Sequence, residues 1–138
     1  MLATDLLIMS FKPNKPISTM TIGEVIKYQK DSVRAGSKSS AVGRYQFIRK
    51  TLEATCKRLG LSENDLFNAE NQDRCAIDLL NANKTNGLNS WLSGKGSDGG
   101  LQNWISSQWA SVKNTSGRGT YDGDGLNHAG IGSIIAYA

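Results

Sequence analysis

The sequence holds one histidine, His128, two cysteines, Cys56 and Cys75, and two prolines, Pro13 and Pro16. A structural zinc site would have to recruit the histidine, both cysteines and a carboxylate, at spacings that match no common zinc module. Neither a metal site nor a cofactor is therefore expected. No apolar run approaches the roughly 20 residues needed to span a bilayer, so no membrane span is expected. The longest run, Leu6-Leu7-Ile8-Met9, also lacks the basic flank and small-residue cleavage site of a secretory signal. No Gly-x-Ser-x-Gly elbow is present, which removes the usual nucleophile turn of a hydrolase triad and leaves His128 as a surface or capping residue.

What is present suits one compact, soluble domain: 138 residues, 38% of them apolar and 20% charged. The net charge of +4 favours a polyanionic partner such as nucleic acid, an anionic membrane or a bacterial wall. Lys12 and Lys15, Lys27 and Lys30, then Arg49, Lys50, Lys57 and Arg58 are spread along the chain. That spread means diffuse attraction rather than a phosphate-tracking groove, and a nucleic-acid partner is not expected. Cys56 and Cys75 either bridge two neighbouring helices or stay reduced as small buried hydrophobes. The second is the expectation for a chain without a secretory signal.

Pro13 and Pro16 exclude a regular helix near the start, so residues 1–18 read as an extended or docking segment ahead of a domain over 19–138. Thr21-Ile22-Gly23-Glu24 has capping-box spacing and predicts a helix to about Val33, with Ile22, Val25, Ile26 and Gln29 on one face. Gly36 to Ser40 ends it. The segment from Ala41 to Ile48 is small and β-prone around Gly43. A helix from Arg49 to Leu59 stops at Gly60. Ser62 caps a short turn with Asp65 in its third slot. Asn68 caps a helix from Ala69 to about Asn83 with inner residues Gln72, Cys75, Ala76, Leu79 and Leu80. Gly87 and the loop Gly94 to Gly100 break the pattern. Leu101, Trp104, Ile105, Gln108 and Val112 then share a helix face, Lys113 to Asn127 is polar and Gly-rich, and Ala129 to Tyr137 predicts a last helix. The fold class is mainly α, a helical domain with a small β-like hairpin or loop.

Most acids have structural explanations. Glu24, Glu63, Asp65 and Glu70 complement helix dipoles in first turns, and Glu53, Asp73 and Asp78 fall on solvent-facing positions. Asp122 and Asp124 lack the spacing and terminal Glu of a calcium loop. The informative segment is Ser39 to Leu52. Gly43 permits a tight backbone beside a ligand. Tyr45 offers a flat face for a sugar ring, and Gln46 offers a donor and an acceptor.

Ser40-Ala41-Val42-Gly43-Arg44-Tyr45-Gln46-Phe47 resembles the Gly-Arg-Tyr-Gln region of the lambda-type phage endolysins. It is also similar to the Ser-x-x-Gly-x-x-Gln-hydrophobic segment of the lytic transglycosylases in the lysozyme superfamily. Thr19 to Val25, Gly60-Leu61-Ser62, Phe67 to Asp73, Trp109 to Val112 and the loop Gly117 to Gly123 extend the resemblance over residues 19 to 131. It implies a lysozyme-like α+β fold with a small hairpin flanking a cleft for a peptidoglycan glycan strand, cut between N-acetylmuramic acid and N-acetylglucosamine. Ser40, Gly43, Tyr45 and Gln46 match the family's turn, and Tyr121 its later loop, as substrate-binding positions.

In the transglycosylases one Glu protonates the glycosidic oxygen and the muramyl 6-hydroxyl closes an anhydro ring, so a second carboxylate is not needed. That acid sits on a helix upstream of the Thr-Ile-Gly-Glu-Val segment. Met1 to Met20 hold no Glu, and Asp5 is their sole acid. Glu24 does not match the catalytic position, so no catalytic residue is assigned. Two readings follow. One is a phage-associated module that binds the MurNAc-GlcNAc strand and, with an acid supplied from elsewhere, cleaves it as a glycosidase or lytic transglycosylase. The other is an inactive lysozyme-fold component of a virion tail or baseplate, or a wall-binding module. The expected partners are peptidoglycan and other virion proteins, the latter through Leu6 to Met9. The expected places are the host cytoplasm before release, or the virion.

Overall fold

A computed structural model describes residues 12–123 and 129–130. The expectations for Leu6 to Met9, Asp5, Asp124 and His128, and for the last helix past Gly130, lie outside the described residues. Those residues form five α-helices, one short 3₁₀ turn and three isolated antiparallel bridges, so the fold is mainly helical as the periodicity requires. The chain divides into two compact units, one ending at Asp78 and the other beginning at Leu79.

In the first unit the chain leaves Pro16 through the 3₁₀ turn Ile17–Thr19 and enters α1, Ile22–Arg34. The capping box forms in full: Glu24 N donates to Thr21 Oγ1 at 3.2 Å, and Thr21 N donates to Glu24 Oε1 at 3.1 Å. Two other free donors of the first turn go to a neighbouring loop, Ile22 N to Asp65 O and Gly23 N to Glu63 O. Ile22, Val25, Gln29 and Ser32 face inward at helical spacing, whereas Ile26 is only half-buried. Arg34 ends α1 just before Gly36, whose φ of +114° suits glycine.

The helix α2, Arg49–Leu59, ends on Gly60 at φ +72°, whose N–H reaches Cys56 O, while Leu61 N also donates to Cys56 O. The start of α3, Ala69–Asn81, is capped by Asn68, whose Oδ1 accepts from Asn71 N at 3.0 Å. Leu52, Phe67 and Cys75 are fully enclosed. Cys56 and Cys75 are free, buried thiols, and contact with Cys56, reinforced by burial, holds the Cys75 thiol far above the usual range.

The second unit holds α4, Leu88–Leu92, and α5, Asp98–Gln108. Its core is Leu101, Ile105 and Val112, against which Leu80, Trp91 and Trp109 pack. Two features differ from the sequence reading. The predicted break after Gly87 contains α4, a helix too short to show a period. Gly99 and Gly100 lie inside the first turn of α5 because Ser97 Oγ accepts from Gly100 N at 2.9 Å and caps it. Val112 is buried with its expected neighbours but lies beyond the helix end, where Ser106 Oγ holds its carbonyl at 2.8 Å.

Candidate functional site

The candidate residues Gly43, Tyr45 and Gln46 lie in the turn of one tight hairpin of the first unit, and Ser40 stands just before its base. Val42 and Phe47 close it with reciprocal backbone bonds, Val42 N to Phe47 O at 3.1 Å and Phe47 N to Val42 O at 3.0 Å. Both side chains are buried, so the hairpin is pinned by its base and the four residues between them form the turn. Two of those four take positive φ: Gly43 at +79° and Gln46 at +53°, the latter a left-handed conformation uncommon for a residue with a Cβ.

Each candidate has a defined role in holding this shape. Ser40 Oγ accepts from Arg49 N at 3.0 Å, so it serves the free N-terminal donor of α2 from across the hairpin. At Gly43 an added Cβ would lie 2.6 Å from Gln72 Oε1 and 3.0 Å from Phe67 Cε2, so a side chain there would have to displace the Gln72 amide. Gln72 locks the turn from that side: its Oε1 accepts from Arg44 N at 2.9 Å and its Nε2 donates to Phe67 O at 2.9 Å. Tyr45, half-buried, donates its hydroxyl to Asp73 Oδ1 at 2.6 Å, and Arg44 approaches the same carboxylate at 3.5 Å. The Asp73 carboxylate, with burial, raises the Tyr45 phenol above its ordinary 10.0, so the ring stays neutral and oriented. Gln46 is exposed and donates its Nε2 to Gly43 O at 2.8 Å, a bond that does not use its carbonyl oxygen.

Tyr121 belongs to the second unit, where it is 43% exposed and donates its hydroxyl to Ser107 O. Asp122 beside it accepts from Gly119 N and Ala129 N, each at 2.9 Å, which explains that carboxylate as a loop clasp.

A cavity of about 450 Å³ opens beside the hairpin in the first unit, between α1 and the first turn of α2. Ser40 lines it; Gly43, Tyr45 and Gln46 do not. Of the residues that build this cavity only Ser40 was a candidate site residue in the sequence, and Gln72 and Asp73 were not read there as hairpin anchors. The last two fall in the matched Phe67 to Asp73 segment, which was the available signal.

The described carboxylates are engaged or exposed. Glu24 pairs with Lys15 at 2.9 Å and is half-exposed; the Thr21 backbone N–H first, then Lys15, pull its carboxyl below the ordinary 4.5. Glu53 accepts from Arg49 at 3.1 Å, Asp78 from Arg58 at 2.8 Å, Asp98 from Trp91 Nε1 at 2.7 Å, and Asp65 from Ser62 N at 2.7 Å. Lys27, then Arg34, hold Asp31 below its ordinary range. Glu63 and Glu70 are exposed. A general acid that keeps its proton near neutral pH needs a desolvated site that raises its pKa, and Glu24 and Asp31 are shifted the opposite way. Among the described residues no cluster of His, Cys, Asp and Glu has the makings of a metal site, and no helix is long and apolar enough to cross a membrane.

No curated protein and no solved structure matches the chain. A family model described as Endolysin matches residues 24–126, a span that takes in α1 from Glu24 onward, the hairpin and α2 to α5. The hairpin that gave the sequence resemblance is thus inside the matched region, and with most of its length covered this chain belongs to the Endolysin family, proteins with a phage-borne role in breaking down bacterial peptidoglycan.

Proposed function

We propose that the chain engages the MurNAc-GlcNAc glycan strand of bacterial peptidoglycan through Ser40, Gly43, Tyr45 and Gln46 of the first unit, and that Tyr121 of the second unit is a sugar contact in its own right. The observation that carries this is the Tyr45–Gln46 pair: a ring tethered by Asp73 beside an exposed Gln46, held in the left-handed region, whose amide oxygen is not used in the bond to Gly43. A fixed ring face stacks on a sugar, and an amide carbonyl accepts from a hydroxyl or N-acetyl N–H. Rigid placement matters because less side-chain freedom is lost on binding.

The engaged carboxylates favour a second reading for chemistry. Binding belongs to the described residues; cleavage by this chain would need a proton donor outside them, where the sequence places Asp5 and Asp124. A chain without such a donor serves as a wall-binding module or a virion component. With a donor it is a glycosidase or lytic transglycosylase acting from the host cytoplasm or from the virion.

The test is co-sedimentation with purified sacculi, followed by mass spectrometry of the soluble products. Wild type pellets with the sacculi, and Tyr45→Ala stays in the supernatant by about tenfold, the scale of a lost aromatic contact. Equal sedimentation of the two proteins contradicts the binding reading. Products that survive Glu24→Gln and vanish with Asp5→Asn locate the acid; no products from wild type support the binding module.

A further inference from the structure

The cavity between α1 and α2 carries an unusual concentration of positive charge. Lys30 and Arg34 reach it from the last turns of α1, Arg49 and Lys50 from the first turn of α2, and no carboxylate lines it. Lys30 and Lys50 are exposed and have no ion-pair partner among the described residues. The two cations on α2 also sit at the wrong end of that helix, whose first turn holds no acid to balance its positive dipole. Arg49 is offset by Glu53, and Arg34 only by Asp31 at 4.0 Å.

Two further features narrow the ligand. Val33 and Ile48, 49% and 48% exposed, give the cavity apolar walls among the cations. Gln29, fully buried and lining the same cavity, donates Nε2 to Ser40 O and to Phe47 O, both at 2.9 Å. Two carbonyls fix which way its amide points. Its Oε1 is then a buried acceptor with no donor among the described residues, which buried acceptors seldom lack. A ligand that fits brings a negative charge, a small apolar group and an N–H donor. Inorganic phosphate or a phosphodiester backbone brings only the first.

We propose that this cavity binds the acidic, alanine-containing peptide that is attached to the glycan strand, its carboxylate between Lys30 and Lys50, its methyl groups against Val33 and Ile48, and an amide N–H toward Gln29. This rests on the peptidoglycan reading above and deepens it: Ser40 lines the cavity and leads directly into the hairpin proposed to hold the sugar, so peptide and sugar would be read side by side.

The experiment is calorimetric titration of the full chain with three probes: muramyl dipeptide, a peptide-free N-acetylglucosamine oligomer and inorganic phosphate. The variant is Lys30→Gln combined with Lys50→Gln, two exposed positions, with circular dichroism to verify the fold. The expected result is muramyl dipeptide binding that weakens about tenfold or more in the variant, as for lost charge-assisted hydrogen bonds, while the oligomer binds both proteins equally. No dipeptide binding by wild type, a variant affinity within about twofold of wild type, or phosphate binding as strong as the dipeptide overturns the proposal. Dipeptide binding without oligomer binding leaves the cavity standing and removes the glycan reading instead.

Discussion

Gly43 shows how little room a single position leaves. Its φ of +79° and the Gln72 amide 2.6 Å from where a Cβ would stand both penalise a side chain. Gly43→Ala should destabilise the chain by roughly 1–3 kcal/mol, through backbone strain and displacement of the Gln72 bond to Arg44 N. Thermal unfolding measures it, and an unchanged midpoint contradicts the placement. Tyr45 separates its two roles cleanly. Tyr45→Phe loses the bond to Asp73 but keeps the ring, so stability falls by about 0.5–1.5 kcal/mol while sugar binding weakens less than in Tyr45→Ala. The phenol itself reports the bond: in wild type it titrates above 10.0, and Asp73→Ala returns it toward that value. A titration unmoved by that substitution removes Asp73 as the anchor.

At the scale of elements, helix starts and stops were the most legible part of the sequence. The Thr21–Glu24 box, Gly60 and Asn68 act within one turn of themselves, so local chemistry decided them and the observed bounds of α1 and α2 agree with the reading to within a residue or so. The carboxylate of Glu24 is held below 4.5, chiefly by the Thr21 N–H. Its depressed folded value means that its contribution is in place above about pH 4.5 and is lost as pH falls through the folded value. Wild type should therefore lose midpoint temperature faster than Glu24→Gln on acidification from about pH 5 to about pH 3. Parallel curves contradict the box as a source of stability. Thr21→Ala should cost about 1 kcal/mol through the lost cap. What escaped the sequence was non-local or too brief. Five residues of α4 give no period, and the end of α5 before Val112 is held by Ser106 rather than by a Gly or Pro.

For the molecule as a whole, the net charge of +4 gave the class of partner but not its place. Lys30, Arg34, Arg49 and Lys50 look scattered along the chain, and only the packing of α2 beside α1 gathers them at one cavity. Asp73, the anchor of Tyr45, lies 28 residues away, a pairing no local pattern reveals. The hairpin residues themselves were legible through family resemblance, while the residue types alone do not separate Tyr45 and Phe47 as core or surface. Phe47 is core; Tyr45 is held at its edge. Attraction of a basic chain to an anionic wall weakens with ionic strength, so sacculus binding should fall between about 0.05 M and about 0.5 M salt. The part supplied by Tyr45 stacking should persist at the higher value, and binding that vanishes entirely there contradicts a sugar-specific contact.

The most direct measurement is an amide-resolved NMR titration of the chain with a peptide-free N-acetylglucosamine oligomer. Shifts concentrated on the amides from Ala41 to Phe47, and lost in Tyr45→Ala, are the predicted result. Saturating oligomer that leaves those amides unmoved, or moves them equally in Tyr45→Ala, contradicts the hairpin as the sugar-binding element.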